Sequence, residues 1–175
     1  AGLIARARRH AARRGVQVDW RVGDMREPPA GPPFDGIYCW GDSYGYFDEA
    51  GNRAFLDAVW QALRPGGRFA LELKLVEEVL LPNFRPRLEG QAGDIRVRIL
   101  RHYDARTRRL DSRYEYARGT QIELRHASYR IYSCQELCSL LAASGFAQAR
   151  MLDGQGAVFR PGAEKLRLVA TKPRD

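Results

Sequence analysis

The sequence predicts an α/β fold: a mostly parallel sheet with flanking helices, interrupted late by an antiparallel β insertion. Three observations carry that prediction. Short apolar strands run into polar turns at Gly23-Asp24-Met25 and at Gly41-Asp42-Ser43-Tyr44-Gly45. An amphipathic segment then stops abruptly at Leu63-Arg64-Pro65-Gly66-Gly67, and a third apolar run begins at Arg68. Further on, Ile95, Val97 and Ile99 alternate with Arg96 and Arg98, the pattern of an antiparallel strand with one wet face. Parallel sheets bind ligands at the carboxyl ends of their strands, where both polar turns fall.

The elements follow in order. Leu3 to Arg14 reads as a helix, with Leu3, Ile4, Ala7 and Ala11 on one side, arginines on the other and Gly15 as its stop. Val18 to Val22 reads as a strand. Glu27 to Pro33 is a surface connection, because its prolines lack amide donors and fix their own backbone angle. Gly36 to Trp40 is the second strand. Phe55, Leu56, Val59 and Leu63 recur at helical spacing from about Gly51 to Arg64, so that helix packs one face on the sheet. Arg68 to Leu75 is apolar on both sides, as a central parallel strand is.

After Pro82 three antiparallel strands are expected in a meander, with a turn from Asp104 to Arg109. Ser133 to Ser144 is a helix opened by the capping box Ser133-x-x-Glu136 and closed by Gly145. Phe146 to Leu152 and Lys165 to Thr171 complete the chain as an antiparallel pair at the sheet edge. The expected division is therefore a core of residues 1–82 and 133–175 and an insertion of residues 83–132.

Composition bounds the function. The chain has 175 residues, 45% of them hydrophobic, which suits one folded domain with a sizeable core. Its net charge of +8 comes almost wholly from arginine, the lysines being Lys74, Lys165 and Lys172. Such a surface attracts anionic partners. Cys39, Cys134 and Cys138 are odd in number and lack metal-ligand spacing, so they read as buried thiols of a reducing cytoplasm, and no metal site is expected. No apolar run approaches the roughly 20 residues of a membrane span, and the basic opening has no apolar core after it.

Taken together, Gly23-Asp24-Met25-Arg26, Phe34-Asp35-Gly36-Ile37-Tyr38, the aromatic turn Gly41 to Phe47, Leu63-Arg64-Pro65-Gly66-Gly67, and Tyr132 to Leu137 followed by Ser144-Gly145-Phe146 resemble the class I S-adenosylmethionine-dependent methyltransferases. The branch resembled is the small-molecule one with an antiparallel insertion after the fifth strand. The resemblance implies a Rossmann-like three-layer sandwich and S-adenosyl-L-methionine as cofactor. It implies that Gly23, Asp24 and Met25 hold the adenine, with the Asp24 carboxylate accepting from the exocyclic amine. Cys39 and Trp40 would lie under the methionine part. Tyr44, Tyr46 and Phe47 would wall the acceptor pocket, where aromatic faces favour a nearby cation. The family's glycine-rich first turn and the acidic residue that follows its second strand have no counterpart here, which leads us to expect a chain that is the later part of a longer protein.

The reaction expected is methyl transfer to an N, O or C nucleophile of a small molecule. Alignment of acceptor and donor does most of such work, on the order of 7–11 kcal/mol. Asp42, Tyr44 and His126 are the candidates for a group that takes the acceptor's proton. The arginines of the insertion suggest an acidic or phosphorylated acceptor.

Two patterns fit rival functions. Gly41-Asp42-Ser43-Tyr44-Gly45 fits the G-x-S-x-G elbow of acyl hydrolases, but Tyr46 to Asn52 delays the helix that such an elbow needs. Twelve arginines against six acids between Arg85 and Arg130, interleaved with tyrosines, fit nucleic-acid binding. A strand's solvent face must be polar in any sheet, so the small-molecule reading is preferred.

Overall fold

The computed structural model describes residues 2–174. Helix α1 (Gly2–Arg13) buries Ala11 and is closed by Gly15, whose φ of 64° places it in the left-handed region. The segment from 16 to 33 then runs without helix or strand. The expected strand Val18 to Val22 does not form. Its alternation V-D-W-R-V meets the β pattern, yet no described segment lies alongside to complete a ladder, and Val22 is 86% exposed. A strand exists only through its neighbour's hydrogen bonds.

Strand β1 (Phe34–Cys39) pairs in parallel with β2 (Leu63–Leu73), with Gly36 opposite Arg68 and Cys39 opposite Leu71. Helix α2 (Glu49–Ala62) makes the crossover. Asp48 caps its start by accepting from the Gly51 amide at 2.7 Å. Its last carbonyls are met by Lys172, whose Nζ donates to the Trp60 and Leu63 oxygens at 2.8 and 2.7 Å and lies 4.0 Å from the Trp60 ring centroid. A cation there also complements the helix dipole. The helix stop itself joins the sheet, since β2 begins at Leu63 and not at Arg68.

The core sheet has the order β1-β2-β8-β7, with β7 at Ala147–Leu152 and β8 at Leu166–Thr171. β8 is antiparallel to both neighbours. The late antiparallel pair is therefore present, but β8 is interior and only β7 is an edge. Phe69, Leu71, Leu73, Leu166, Leu168 and Ala170 face the helices and are fully buried. There they meet Phe55, Leu56 and Val59 of α2, and Leu137 and Leu141 of α4 (Cys134–Ala143). The opposite face carries Glu72, Arg167 and the exposed Tyr38.

Helix α4 shows the full capping box: Ser133 Oγ accepts from the Glu136 amide at 3.1 Å, and Glu136 Oε2 accepts from the Ser133 amide at 2.8 Å.

A short helix α3 (Glu77–Leu80) leads into the insertion. The meander has four strands where three were expected: β3 (Arg87–Ala92), β4 (Ile95–Asp104), β5 (Arg109–Arg118) and β6 (Gln121–Arg130), all antiparallel and paired in that order. β3 reads R-L-E-G-Q-A, which has no apolar alternation, and it forms by adding to the edge of β4. The insertion leaves and rejoins the core where Val76 bridges Tyr132 in parallel. Leu80, Leu110 and Ile131 make a small second core at that junction.

Candidate active site

The turn after β1 is built on two left-handed residues, Gly41 (φ 72°) and Asp42 (φ 61°). Asp42 holds that conformation because one carboxylate oxygen accepts from the Lys74 and Leu75 amides at 2.6 and 2.9 Å. The carboxyl ends of β1 and β2 are thereby tied together. Ser43 donates to the Trp40 carbonyl at 3.1 Å, and α2 starts only at Glu49, so no helix begins at the serine as a hydrolase elbow requires.

Beyond the turn the aromatic side chains separate. Tyr44 points inward, 3% exposed, with its ring 5.4 Å from Tyr132 and 6.0 Å from Phe55. Burial, and then the neighbouring Tyr132, push its phenol well above the usual range. Tyr46 points outward, edge-on to Tyr129 of β6 at 5.4 Å and to Phe47 at 6.4 Å. Trp40 is 45% exposed, edge-on to Tyr38 at 5.9 Å and 5.4 Å from the Arg167 guanidinium. Cys39 is buried, and burial followed by the Asp42 charge pushes its thiol up to about 11.

The first turn is set by a local ion pair. Arg26 donates from Nε and Nη2 to the Asp24 carboxylate at 3.0 and 2.6 Å, and its amide donates at 2.9 Å. These bonds hold the Asp24 carboxyl down to about 2. The same guanidinium lies 4.3 Å from the Phe47 ring centroid, so Arg26 connects the first turn to the second. Met25 packs against the main core. The Asp24 carboxylate is a third exposed, and the Met25 amide makes no hydrogen bond among the described residues. An acceptor beside a free donor is the edge that an aminopurine needs, so this turn fits the adenine of the expected cofactor.

The insertion closes over the second turn. The Arg130 amide donates to the Gly45 carbonyl at 2.8 Å, and Tyr129, Tyr114 and Tyr116 share the sheet face that meets Tyr46. Tyr103 donates to Glu77 at 3.0 Å. His126 stands on the other face, opposite Arg113, so the structure does not bring it to the turn with Asp42 and Tyr46. Arginines of that outer face are matched to acids, including Arg87 and Arg98 with Glu89, and Arg98 also with Glu115.

Sequence reading did not single out Arg108, Arg130 and Tyr132, which the fold gathers beside Glu136. Its one signal was the capping box, because Glu136 also accepts from Arg108 Nη1 at 2.5 Å and from Arg130 Nη2 at 3.1 Å.

Burial raises Glu136, but the Ser133 amide and Arg130 outweigh it and leave its carboxyl below the usual value. Glu72, between Lys165 and Arg167, is lowered in the same way against its burial. An acid whose folded pKa is depressed stabilises the fold above its unfolded pKa, and that stability is lost as pH falls through the folded value. Urea midpoints are therefore expected to fall from pH 7 to pH 3. Glu136→Gln should flatten that slope, and an unchanged slope would refute the assignment.

The fold is the one found in S-adenosylmethionine-dependent methyltransferases. Residues 1–67, which span both polar turns and end on Gly67, match the family model described as a methyltransferase domain. Among solved structures, an S-adenosylmethionine-dependent methyltransferase from Clostridium acetobutylicum ATCC 824 matches 98% of this chain over 72% of its own, at 14% identity and a TM-score of 0.80. The CcbJ methyltransferase from Streptomyces caelestis matches 97% over 70%, at 14% identity and 0.76. The sugar N-methyltransferase KedS8 from Streptoalloteichus sp ATCC 53650 matches 97% over 69%, at 19% identity and 0.65. No curated protein matches. The chain thus has the Rossmann-like fold of S-adenosylmethionine-dependent methyltransferases, and its first 67 residues match a methyltransferase-domain model. No helix among the described residues is long and apolar enough to cross a membrane.

Proposed function

We propose that the protein transfers the methyl group of S-adenosylmethionine to a nucleophilic atom of a small molecule held between the turn Gly41 to Phe47 and the face of the insertion sheet bearing Tyr129. The observation that carries this reading is the closure of β6 over the turn, with Arg130 bonded to Gly45 and Tyr129 packed on Tyr46. It supports a roofed chamber at the carboxyl ends of β1 and β2. Residues 1–82 and 133–175 are the cofactor-binding core in this proposal, and residues 83–132 cover the acceptor.

The bound cofactor supplies an activated methyl group, so the chain's own work is positioning. Asp24 and the Met25 amide hold the adenine, and Trp40 lies beneath the methionine end. Phe47, Tyr46 and Tyr129 shape the acceptor side and exclude water. Asp42 keeps one carboxylate oxygen on the Lys74 and Leu75 amides, leaving the other to take the acceptor's proton. A neutral amine gains most from such a wall, since aromatic faces and a nearby carboxylate favour the cation formed on methylation. KedS8, named as a sugar N-methyltransferase, supports an amino sugar as the first acceptor to try.

Calorimetric titration of S-adenosylhomocysteine tests the donor. Saturable binding is expected, and Asp24→Ala should weaken it about tenfold, as loss of one hydrogen bond to a charged group does. Absence of binding by the full-length protein would refute the proposal, and unchanged affinity in the variant would remove Asp24 from the adenine site.

A further inference from the structure

A cleft of about 480 Å³ opens behind the turn, on the helix side, between the N-terminal halves of α2 and α4 and the β4–β5 hairpin. Tyr44 and Tyr46 leave the turn in different directions. Tyr46 meets Tyr129 at the acceptor chamber, whereas Tyr44 packs on Phe55 and Tyr132 and lines the cleft. The cleft and the Tyr46–Tyr129 contact therefore lie on different sides of one stretch of backbone. A volume of this size is far beyond that of a single water and falls within the range of small-molecule sites.

Three guanidiniums line the cleft: Arg53, Arg108 and Arg130. The acids beside them compensate only in part. Glu136 meets both Arg108 and Arg130 through one oxygen, because its other oxygen caps α4. Glu49 is 80% exposed and sits 3.4 Å from Arg130. Arg53 spends Nε on Asp57 and Nη2 on the Ala143 carbonyl. Nη1 of Arg53 and Nη2 of Arg108 make no hydrogen bond among the described residues.

At the inner end the Tyr44 hydroxyl is buried beside that of Tyr132, which is taken by Asn52, and it makes no hydrogen bond of normal geometry among the described residues. Buried hydroxyls are normally satisfied, and one left open at the end of a polar cleft marks a place where a ligand's oxygen completes the geometry. Ser133, Gln135 and Ser139 add neutral hydrogen-bonding groups along the wall. Free guanidinium donors at the mouth, neutral polar groups along the side and a hydroxyl at the base match a molecule with an oxyanion at one end and hydroxyl groups along its length.

We propose that this cleft binds a small hydroxylated oxyanion, carboxylate or phosphate, at a site separate from the methyl-acceptor chamber. The inference does not depend on the methyl-transfer proposal, because it rests on the arginines, the cleft and the open Tyr44 hydroxyl.

The test uses citrate and glycerol 3-phosphate as probes, titrated by calorimetry against the protein at ionic strength matched with sodium chloride. Saturable binding of either is expected, and the preferred probe separates the carboxylate from the phosphate. Tyr44→Phe and Arg108→Gln should each weaken it about tenfold. Arg96→Gln, on the outer face of the insertion, should leave it unchanged. Tyr44→Phe keeps the ring and its packing and removes an unsatisfied hydroxyl, so its melting temperature should not fall, and it decides the matter if Arg108→Gln does not fold. No saturable binding of either probe, or unaltered affinity in Tyr44→Phe, would overturn the proposal.

Discussion

Gly45→Ala is expected to lower stability by about 3 kcal/mol or more and the proposed methyl transfer by about a hundredfold. Gly45 has φ 94°, where an L side chain is strained. Strain alone accounts for about 1–3 kcal/mol. A Cβ there would also lie 2.6 Å from the Arg130 carbonyl oxygen, closer than real Cβ atoms come, and the obstacle is backbone that cannot swing away. The remaining relief is separation of β6 from the turn, which breaks the bond from the Arg130 amide to the Gly45 oxygen and draws Tyr129 off Tyr46. A shift of about 1 Å at a positioning contact is enough for a loss of that size in rate. Urea unfolding and turnover of the variant check both parts, and a midpoint close to wild type would mean that the roof is not locked at this contact.

Phe69→Ala is expected to destabilise by about 3–5 kcal/mol, the range for removing a fully buried phenylalanine. Phe69 is 1% exposed on β2, with ring centroids 6.0 Å from Phe55 of α2 and 5.9 Å from Phe146 after α4. It joins the sheet to both helices, so the cavity cannot collapse without moving one of them. Tyr38→Ala on the other face is the contrast: Tyr38 is 74% exposed, and an effect of about 0.5 kcal/mol or less is expected. Denaturant melts of the two variants side by side measure the difference, and equal effects would contradict the placement of the core on the helix side.

Much of the fold was legible because its signals are local. The helix from Cys134 announces itself by Ser133 and Glu136, and α2 by the spacing of Phe55, Leu56 and Val59. The exposed positions of β4 show as its alternating arginines. What could not be read depends on partners distant in sequence. Val18 to Val22 has the pattern of a strand without a neighbour, and β3 has a neighbour without the pattern. At the site, the turns were found by their polarity. That Asp42 would be held by the Lys74 and Leu75 amides was not visible, nor was the separation of Tyr44 from Tyr46. His126 illustrates the converse: a one-residue choice of face, undetermined by sequence, puts it opposite Arg113 and away from the turn.

The bridge between Val76 and Tyr132 has a consequence for how such a chain is built and altered. The insertion enters and exits the core at adjacent points, so its length is nearly free of entropic consequence for the core, the closure term growing only by about 0.6 kcal/mol per doubling. Its four strands are nearest-neighbour hairpins in sequence order, a low-contact-order unit that can fold independently of when the core sheet closes. Under the proposed function, a different roof could be grafted onto the same pair of residues without disturbing the two polar turns, so that acceptor range and methyl chemistry would be free to evolve at separate rates.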